Sequence, residues 1–335
     1  MRIRIGYNMP MKYDTLKTFT SQSLNDILTW AYETLEQNDT ITLEVLNPDL
    51  ARGTYAGESI TIGNMTYLYR GYKAWSDLGE LLFCRMLTPK IVSQHTVQIT
   101  YEKLNLSDSF HHSDAKEEKY GITSRFAALH KNEEPAFLSP YLRALRNVKV
   151  GAKKRILNLG INTGDEFDLI RTIVSAQDYE TIELVGIDHS ASAIHHARER
   201  FSEGNATFYV HDINDLASLE LGKFDLIVTI GTLQSPGIEF KPLFMKLVQE
   251  YLMPNGALIL GFPNCRWMGG EMIYGAKAPN YPYSEMTLLY KDAYYCKKYL
   301  QQKKFRVTLT GKDYVFLTAT RINLTAPVAN NHPFP

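Results

Sequence analysis

Two glycines four residues apart, Gly160 and Gly164, separate an apolar run of Ile156, Leu157 and Leu159 from a segment in which Phe167, Ile170 and Val174 recur at helical spacing. The run is too short for a helix and is bounded by Lys153, Lys154 and Arg155, so it predicts a buried strand, and the change of period predicts a helix after the glycines. In such a strand-loop-helix turn the absent side chains let backbone approach a ligand, and the amides of the helix start point into the opening. That is the chemistry of a cofactor seat. Asn162 stands between the glycines, so the dense G-x-G-x-x-G of a dinucleotide fingerprint is lacking. A second apolar run, Ile182 to Ile187, ends in Asp188, 24 residues beyond Gly164, about where a parallel α/β sheet places the acid that takes ribose hydroxyls. The alternative role for Asp188 is a cap beside Ser190.

The elements needed to hold these residues can be followed along the chain. Ser190 to Phe201 reads as a helix capped by Ser190, with Ala193, Ile194, Ala197 and Phe201 on its inner face. Thr207 to Val210 is a third strand ending at His211-Asp212, and Phe224 to Ile230 a fourth ending at Gly231. Leu243, Leu247 and Tyr251 mark a helix, Pro254-Asn255-Gly256 a turn, and Ala257 to Phe262 a fifth strand. Phe305 to Thr310 and Tyr314 to Thr320 read as a closing hairpin. Strands alternating with helices predict a mostly parallel sheet with right-handed crossovers.

The 335 residues suit about two domains. Residues 1 to 105 read as a smaller α+β unit, for substrate recognition or oligomerisation. Its elements are strands at Arg2 to Tyr7, Ile41 to Val45 and Thr96 to Tyr101, a helix through Leu24 and Leu35, two strands around Gly63-Asn64, and a helical stripe of Trp75, Leu78, Leu82 and Met86. The aromatic set Tyr67, Tyr69, Tyr72 and Trp75 suits core packing or an oligomer contact. Residues 106 to 150 read as a polar linker followed by cap helices at Tyr120 to His130 and Pro140 to Val148, and 323 to 335 as a tail. His111 and His112 lack partners at ligand spacing, so no metal site is expected. Net charge is zero, with 36 basic and 36 acidic residues, which excludes a global attraction to polyanions. Three cysteines, widely spaced, indicate no disulfide framework. With no signal-peptide pattern and no long apolar run, a cytoplasmic protein without membrane contact is expected.

Over about residues 150 to 322 the order of motifs resembles the Rossmann-like S-adenosylmethionine-dependent methyltransferases. Leu157 to Gly164 is similar to the family's first motif, Val185 to Asp188 to its acidic second, His211-Asp212-Ile213 to its third, Phe224 to Leu233 to the strand beneath the methyl group, and Leu252 to Leu258 to the turn into strand five. The resemblance implies an α/β sheet, mostly parallel with an antiparallel last strand, holding S-adenosylmethionine. Gly160 and Gly164 would lie against its methionine part, with Asn158, Asn162 and Gly231 nearby, Asp188 and His189 at the ribose, and His211, Asp212 and Ile213 at the adenine. The family usually has an acid at position 158 and a glycine at 162. The Asn158 amide still accepts a hydrogen bond but brings no charge, while Asn162 tolerates unusual backbone angles better than most residues.

Methyl transfer from a sulfonium asks mainly for alignment of the acceptor. His211 and Gln234 are the catalytic candidates, although Gln234 cannot act as a base and suits an orienting role, and His211 also reads as a structural histidine. The insertion after strand five offers Arg266, Trp267, Glu271, Tyr274, Tyr281 and Tyr283 in a Gly- and Pro-containing loop, expected with Gln234 to form the acceptor pocket or else to pack as structure. The expected acceptor is a small molecule. RNA or protein is the alternative, with Lys297, Lys298, Lys303, Lys304 and Arg306 as the basic patch. A noncatalytic nucleotide-binding protein on the same fold is the rival from another class.

Overall fold

The computed structural model describes residues 14–51, 53–105, 121–268, 271–274, 286–312 and 314–322. The chain divides into two compact units, Met1–Asp108 and Ser109–Pro335. The expected strand at Arg2 to Tyr7, the polar stretch with His111 and His112, and the tail lie outside the described residues.

The first unit runs β1 (Leu16–Thr18), α1 (Leu24–Leu35), β2 (Thr40–Leu46), β3 (Ser59–Ile62), β4 (Met65–Leu68), α2 (Tyr72–Leu81), β5 (Cys84–Met86), β6 (Lys90–Ile91) and β7 (Thr96–Lys103). β2 pairs parallel with β1 and antiparallel with β7, which also holds β5 and β6. α1 starts at a reciprocal cap, in which Ser23 Oγ accepts from the Asp26 amide and the Asp26 carboxylate accepts from the Ser23 amide. Ile27, Ala31 and Leu35 then reach the core made by Ile41, Leu43, Trp75 and Ile99. The stripe from Trp75 to Met86 is not one helix. Phe83 takes a φ of 52°, the left-handed turn that closes helices, and Met86 belongs to β5. Tyr69 and Trp75 are buried, Tyr67 is half-buried and Tyr72 exposed, so only part of that aromatic set is core.

The second unit continues with α3 (Pro135–Asn147), β8 (Arg155–Leu159), α4 (Asp165–Ile173), α5 (Ala176–Tyr179), β9 (Glu183–Asp188), α6 (Ala191–Arg200), β10 (Ala206–Val210), β11 (Phe224–Ile230), α7 (Phe240–Lys246), β12 (Leu252–Pro263), β13 (Cys265–Met268), β14 (Glu271–Tyr274), α8 (Thr287–Gln302), β15 (Phe305–Gly311) and β16 (Tyr314–Arg321). Seven strands form one sheet in the order β10-β9-β8-β11-β12-β16-β15, and only β16 runs against its neighbours. The final strand therefore lies inside the sheet and β15 forms the edge. β8, β9, β11 and β12 are apolar almost throughout because both faces are covered. Side chains of α3, α4 and α6 pack with Ile156, Leu226 and Val228 on one face, and those of α7 and α8 with Leu157, Ile227 and Leu258 on the other.

Three expectations change in detail. Before α3 there are 3-10 turns at Arg125–Ala128 and Lys131–Glu133 instead of a helix, because local bonds such as Ser124 Oγ to the Gly121 carbonyl (2.6 Å) compete with helical ones. α3 itself starts at Pro135, whose fixed φ suits a first helical position. The Pro254-Asn255-Gly256 turn is absorbed into β12, where Leu252 and Ala257 face Phe224 and Leu226, so five steps of one strand span two of the other. The loop after strand five contains the β13–β14 ribbon, with Met268 opposite Glu271 and the two-residue hairpin composition Gly269-Gly270 between the arms in sequence. Among the described residues no helix is long and apolar enough to cross a membrane.

Phe316 is fully buried, with ring centroids 5.5 Å from Phe137 and 5.8 Å from Tyr141. Phe316→Ala is predicted to destabilise the second unit by about 3–5 kcal/mol, since it removes a large ring and leaves a cavity; denaturant unfolding followed by circular dichroism measures it.

Candidate functional site

β8 leads to β9 and β10 on one side, while β11 and β12 extend the sheet on the other. The carboxyl ends of β8 and β11 therefore flank the point where the strand order reverses, the usual crevice of an open α/β sheet. Around it stand Asp188 ending β9, His211 after β10, Gly160 after β8, Gly231 after β11 and Asn264 after β12.

The bend after β8 passes through three left-handed residues, Gly160 (φ 75°), Asn162 (48°) and Gly164 (95°). This winding turns its amides inward. Gly160 and Ile161 donate to the Ile187 carbonyl (2.8 and 3.2 Å), Gly164 to the Ile161 carbonyl (3.0 Å), Thr163 to Asn162 Oδ1 (2.9 Å), and Asn162 to Asp188 Oδ2 (2.9 Å). The amides of loop residues 160 to 164 are thus taken by the protein itself. The space beside the glycines is likewise taken by the protein. A Cβ on Gly160 would lie 1.9 Å from Thr232 Oγ1, and one on Gly164 2.3 Å from the Phe201 ring.

Asp188 is 6% exposed. Its Oδ2 accepts from Asn162, its Oδ1 from the Ser190 amide at 3.0 Å, and His189 Nδ1 stands 3.4 Å away. The cap-like bond to Ser190 thus coexists with the bond to the glycine bend. A carboxylate offers about four lone-pair positions, so capacity for further donors remains.

Beside this acid, the 121–133 segment touches two helix starts. The Ile122 amide donates to Ser192 Oγ (3.3 Å) on α6, and Asn132 Nδ2 to the Asp165 carbonyl (3.1 Å) on α4. Lys131 Nζ lies 2.6 Å from Glu166 Oε1 in a pair whose side chains are 20% and 1% exposed. Burial pushes the Glu166 carboxyl above its ordinary value, against the pull of Lys131. For Lys131 burial acts downward, but Glu166, Asp165 and Asp188 outweigh it and hold the ammonium above its usual range. Arg200 binds Asp165 and Asp168 (2.7 and 2.9 Å), Arg171 binds Asp168 and Glu203 (2.7 and 2.8 Å), and the two guanidinium groups lie 5.8 and 5.0 Å from the Phe201 ring centre. The acids of the first turn of α4 also suit the positive end of its dipole.

At the third strand, the His211 amide bonds the Asp188 carbonyl (2.9 Å), while its Nε2 meets the Asp215 carbonyl (2.8 Å) and Ser218 Oγ (3.1 Å). A carbonyl partner fixes the hydrogen on Nε2. Asp212 caps the following 3-10 helix, its Oδ1 accepting from the Asn214 amide and Nδ2 (2.9 and 3.0 Å), and Ile213 is buried. Gly231 has a φ of 73° and donates to the Gly261 carbonyl (2.9 Å). Gln234 lies exposed in the turn after β11. Arg266 and Trp267 are on β13 and Glu271 and Tyr274 on β14, whereas Tyr281 and Tyr283 lie outside the described residues.

Several polar groups that sequence reasoning had not assigned to the site lie here. Lys131 and Thr232 are half-buried, Glu166 is buried, and Asn264 is 1% exposed with neither amide atom bonded. Asn158, a sequence candidate, is fully buried and both its amide atoms are also without a partner.

Residues 151–304 match the family described as "Methyltransferase domain". Among solved structures the chain is similar to a plantazolicin methyltransferase in complex with a triazolic desmethylPZN analog and SAH, 14% identical over 65% of this chain and 95% of that one at a TM-score of 0.42. It is also similar to a ribosomal protein L11 methylase from Lactobacillus delbrueckii subsp. bulgaricus (13% identity, 55% and 77% coverage, TM-score 0.36). A third similarity is to magnesium protoporphyrin IX methyltransferase from Synechocystis PCC 6803 with bound SAM (18%, 55% and 81%, 0.36). No curated protein matches it by sequence.

Gly160→Ala places a methyl group against Thr232 in a left-handed backbone. It is predicted to cost more than the roughly 1–3 kcal/mol of such a backbone alone, and the Gly160→Ala, Thr232→Gly pair to recover the excess, as read from urea midpoints.

Proposed function

With residues 151–304 a methyltransferase domain, we propose that the chain binds S-adenosylmethionine across the carboxyl ends of β9, β8 and β11 and methylates a small-molecule acceptor. The observation that carries this reading is the Asp188 carboxylate, buried at the end of β9 and keyed by the Asn162 amide to the bend after β8. The residues fit the group. Asp188 retains acceptor capacity for a ribose diol, Asp212 binds Asn214 through Oδ1 and offers Oδ2 to an adenine amino group, and unpaired buried polar atoms stand on Asn158 and Glu166.

When bound, the cofactor supplies an activated methyl on a sulfonium. The chain's contribution is then positional. Asp188 fixes the sugar, the Gly231–Gln234 turn lies beside the bend through Thr232, and Gln234 orients the acceptor by hydrogen bonding. His211, its Nε2 occupied by the Asp215 carbonyl, holds the chain between 211 and 218 and is not assigned the acceptor's proton. A small acceptor is supported by the zero net charge and by the aromatic insertion that carries Trp267, Tyr274, Tyr281 and Tyr283. RNA or protein acceptors are the alternative, and the buried free thiols of Cys84 and Cys296 suit a cytoplasmic setting. A binding domain without catalysis is favoured by the neutral amide at Asn158 and the inward-bonded loop; heat from S-adenosylhomocysteine without any methylated product in cell extracts selects it.

Calorimetry with S-adenosylhomocysteine and with NAD tests the cofactor assignment, and heat from NAD alone overturns it. Asp188→Asn is predicted to weaken S-adenosylhomocysteine binding about 10- to 100-fold, the scale of a hydrogen bond to a charged group.

A further inference from the structure

The smaller unit buries a cation that no carboxylate meets. Arg70, between β4 and α2, is 6% exposed, and a guanidinium at that depth is as a rule paired with an acid. Arg155, Arg171 and Arg200 are more exposed, yet each sits on a carboxylate. Among the described residues Arg70 has one hydrogen bond, from Nη2 to the Gln22 carbonyl at 2.8 Å, and no ion pair. Burial alone pushes its pKa below the usual value; the Asp49 charge acts on the Tyr72 hydroxyl and not on Arg70. Its Nε and Nη1 are unbonded without being sealed from water. The charge is deep enough to need an anion and open enough to receive one.

The side chain is fixed before any ligand arrives. Its Cζ lies 5.7 Å from the ring centre of Trp75, and Trp75 Nε1 donates to the Arg70 carbonyl at 3.1 Å. Trp75 is itself buried, its carbonyl accepting from the Tyr101 hydroxyl at 2.8 Å. Directly after Arg70 the chain enters α2 through Gly71, with no side chain capping the first turn and no acid within it. α1, by contrast, closes its own start with Ser23 and Asp26. A Cβ at Gly71 would lie 3.3 Å from the Tyr69 hydroxyl, which disfavours a capping Ser or Asp there. An unpaired guanidinium thus precedes an uncapped helix start, and both favour negative charge. We infer that Arg70 is an anion receptor of the smaller unit, taking the carboxylate or phosphate of a small molecule on Nε and Nη1. The planar fork of a guanidinium suits either group through two parallel bonds. The receptor lies wholly within Met1–Asp108 and does not depend on the cofactor reading.

The test is titration of the full chain with inorganic phosphate and with acetate, at an ionic strength held constant with chloride. Tryptophan fluorescence reports it, because the Trp75 ring lies beside the guanidinium. Saturable binding of at least one anion is expected, and the tighter of the two identifies the group. Arg70→Met keeps an apolar stem and is expected to weaken that anion about tenfold or more, the scale of a bond to a charged group. The anion also raises the urea midpoint of the unaltered chain and leaves that of the variant where it was. If Arg70→Met does not fold, Arg70→Lys carries the test, since it keeps the charge and loses the fork; the same anion is then expected to bind several-fold more weakly. Saturable binding of neither anion, or equal affinity in the chain and in whichever variant folds, overturns the receptor and leaves Arg70 a clamp on the Gln22 carbonyl.

Discussion

The bond from Asn162 to Asp188 ties the acid itself to the bend, beside those from the Gly160 and Ile161 amides to the Ile187 carbonyl. The Asn162 amide reaches 2.9 Å to Asp188 Oδ2, and with it the bend leaving β8 and the end of β9 become a single rigid corner. The left-handed angle at Asn162 is what aims that N–H sideways. Without it Asp188 would be a buried carboxylate held only by its own helix start. A buried charge short of donors is costly, so the acid, the bend and the strand ends stand or fall together.

The corner is braced from outside by charge. Arg200 and Arg171 hold Asp165 and Asp168 on the first turn of α4, and their planes close over Phe201, whose ring fills the space a side chain at Gly164 would need. Thr232 does the same at Gly160. The two glycines are thus required by close packing of the protein on itself, which fixes the ends of β8 and β11 against each other across the crevice.

The strands were legible because a parallel sheet covered on both faces writes itself as apolar runs, as at Ile156 to Leu159 and Phe224 to Ile230. Asp188, Asp212 and the bend could be placed because turn chemistry and strand ends are local. Glu166 could not be picked out, since an acid in a helix's first turn reads as solvated, and its burial depends on Lys131, 35 residues earlier. Thr232 and Asn264 escaped for the same reason, their surroundings being made by distant strands. The Pro254-Asn255-Gly256 turn survives as the break in register of β12 against β11, between the Leu252 and Ala257 pairs. Phe83 ended α2 early without a glycine to announce it.

The placement of β16 between β12 and β15 bears on how the chain acquires its shape during synthesis. β15 leaves the ribosome first but has no neighbour in the sheet until β16 follows. Through that interval the open flank of β12 presents unpaired peptide groups to solvent and to other nascent chains, a hazard that the hairpin removes only when about residue 321 has emerged.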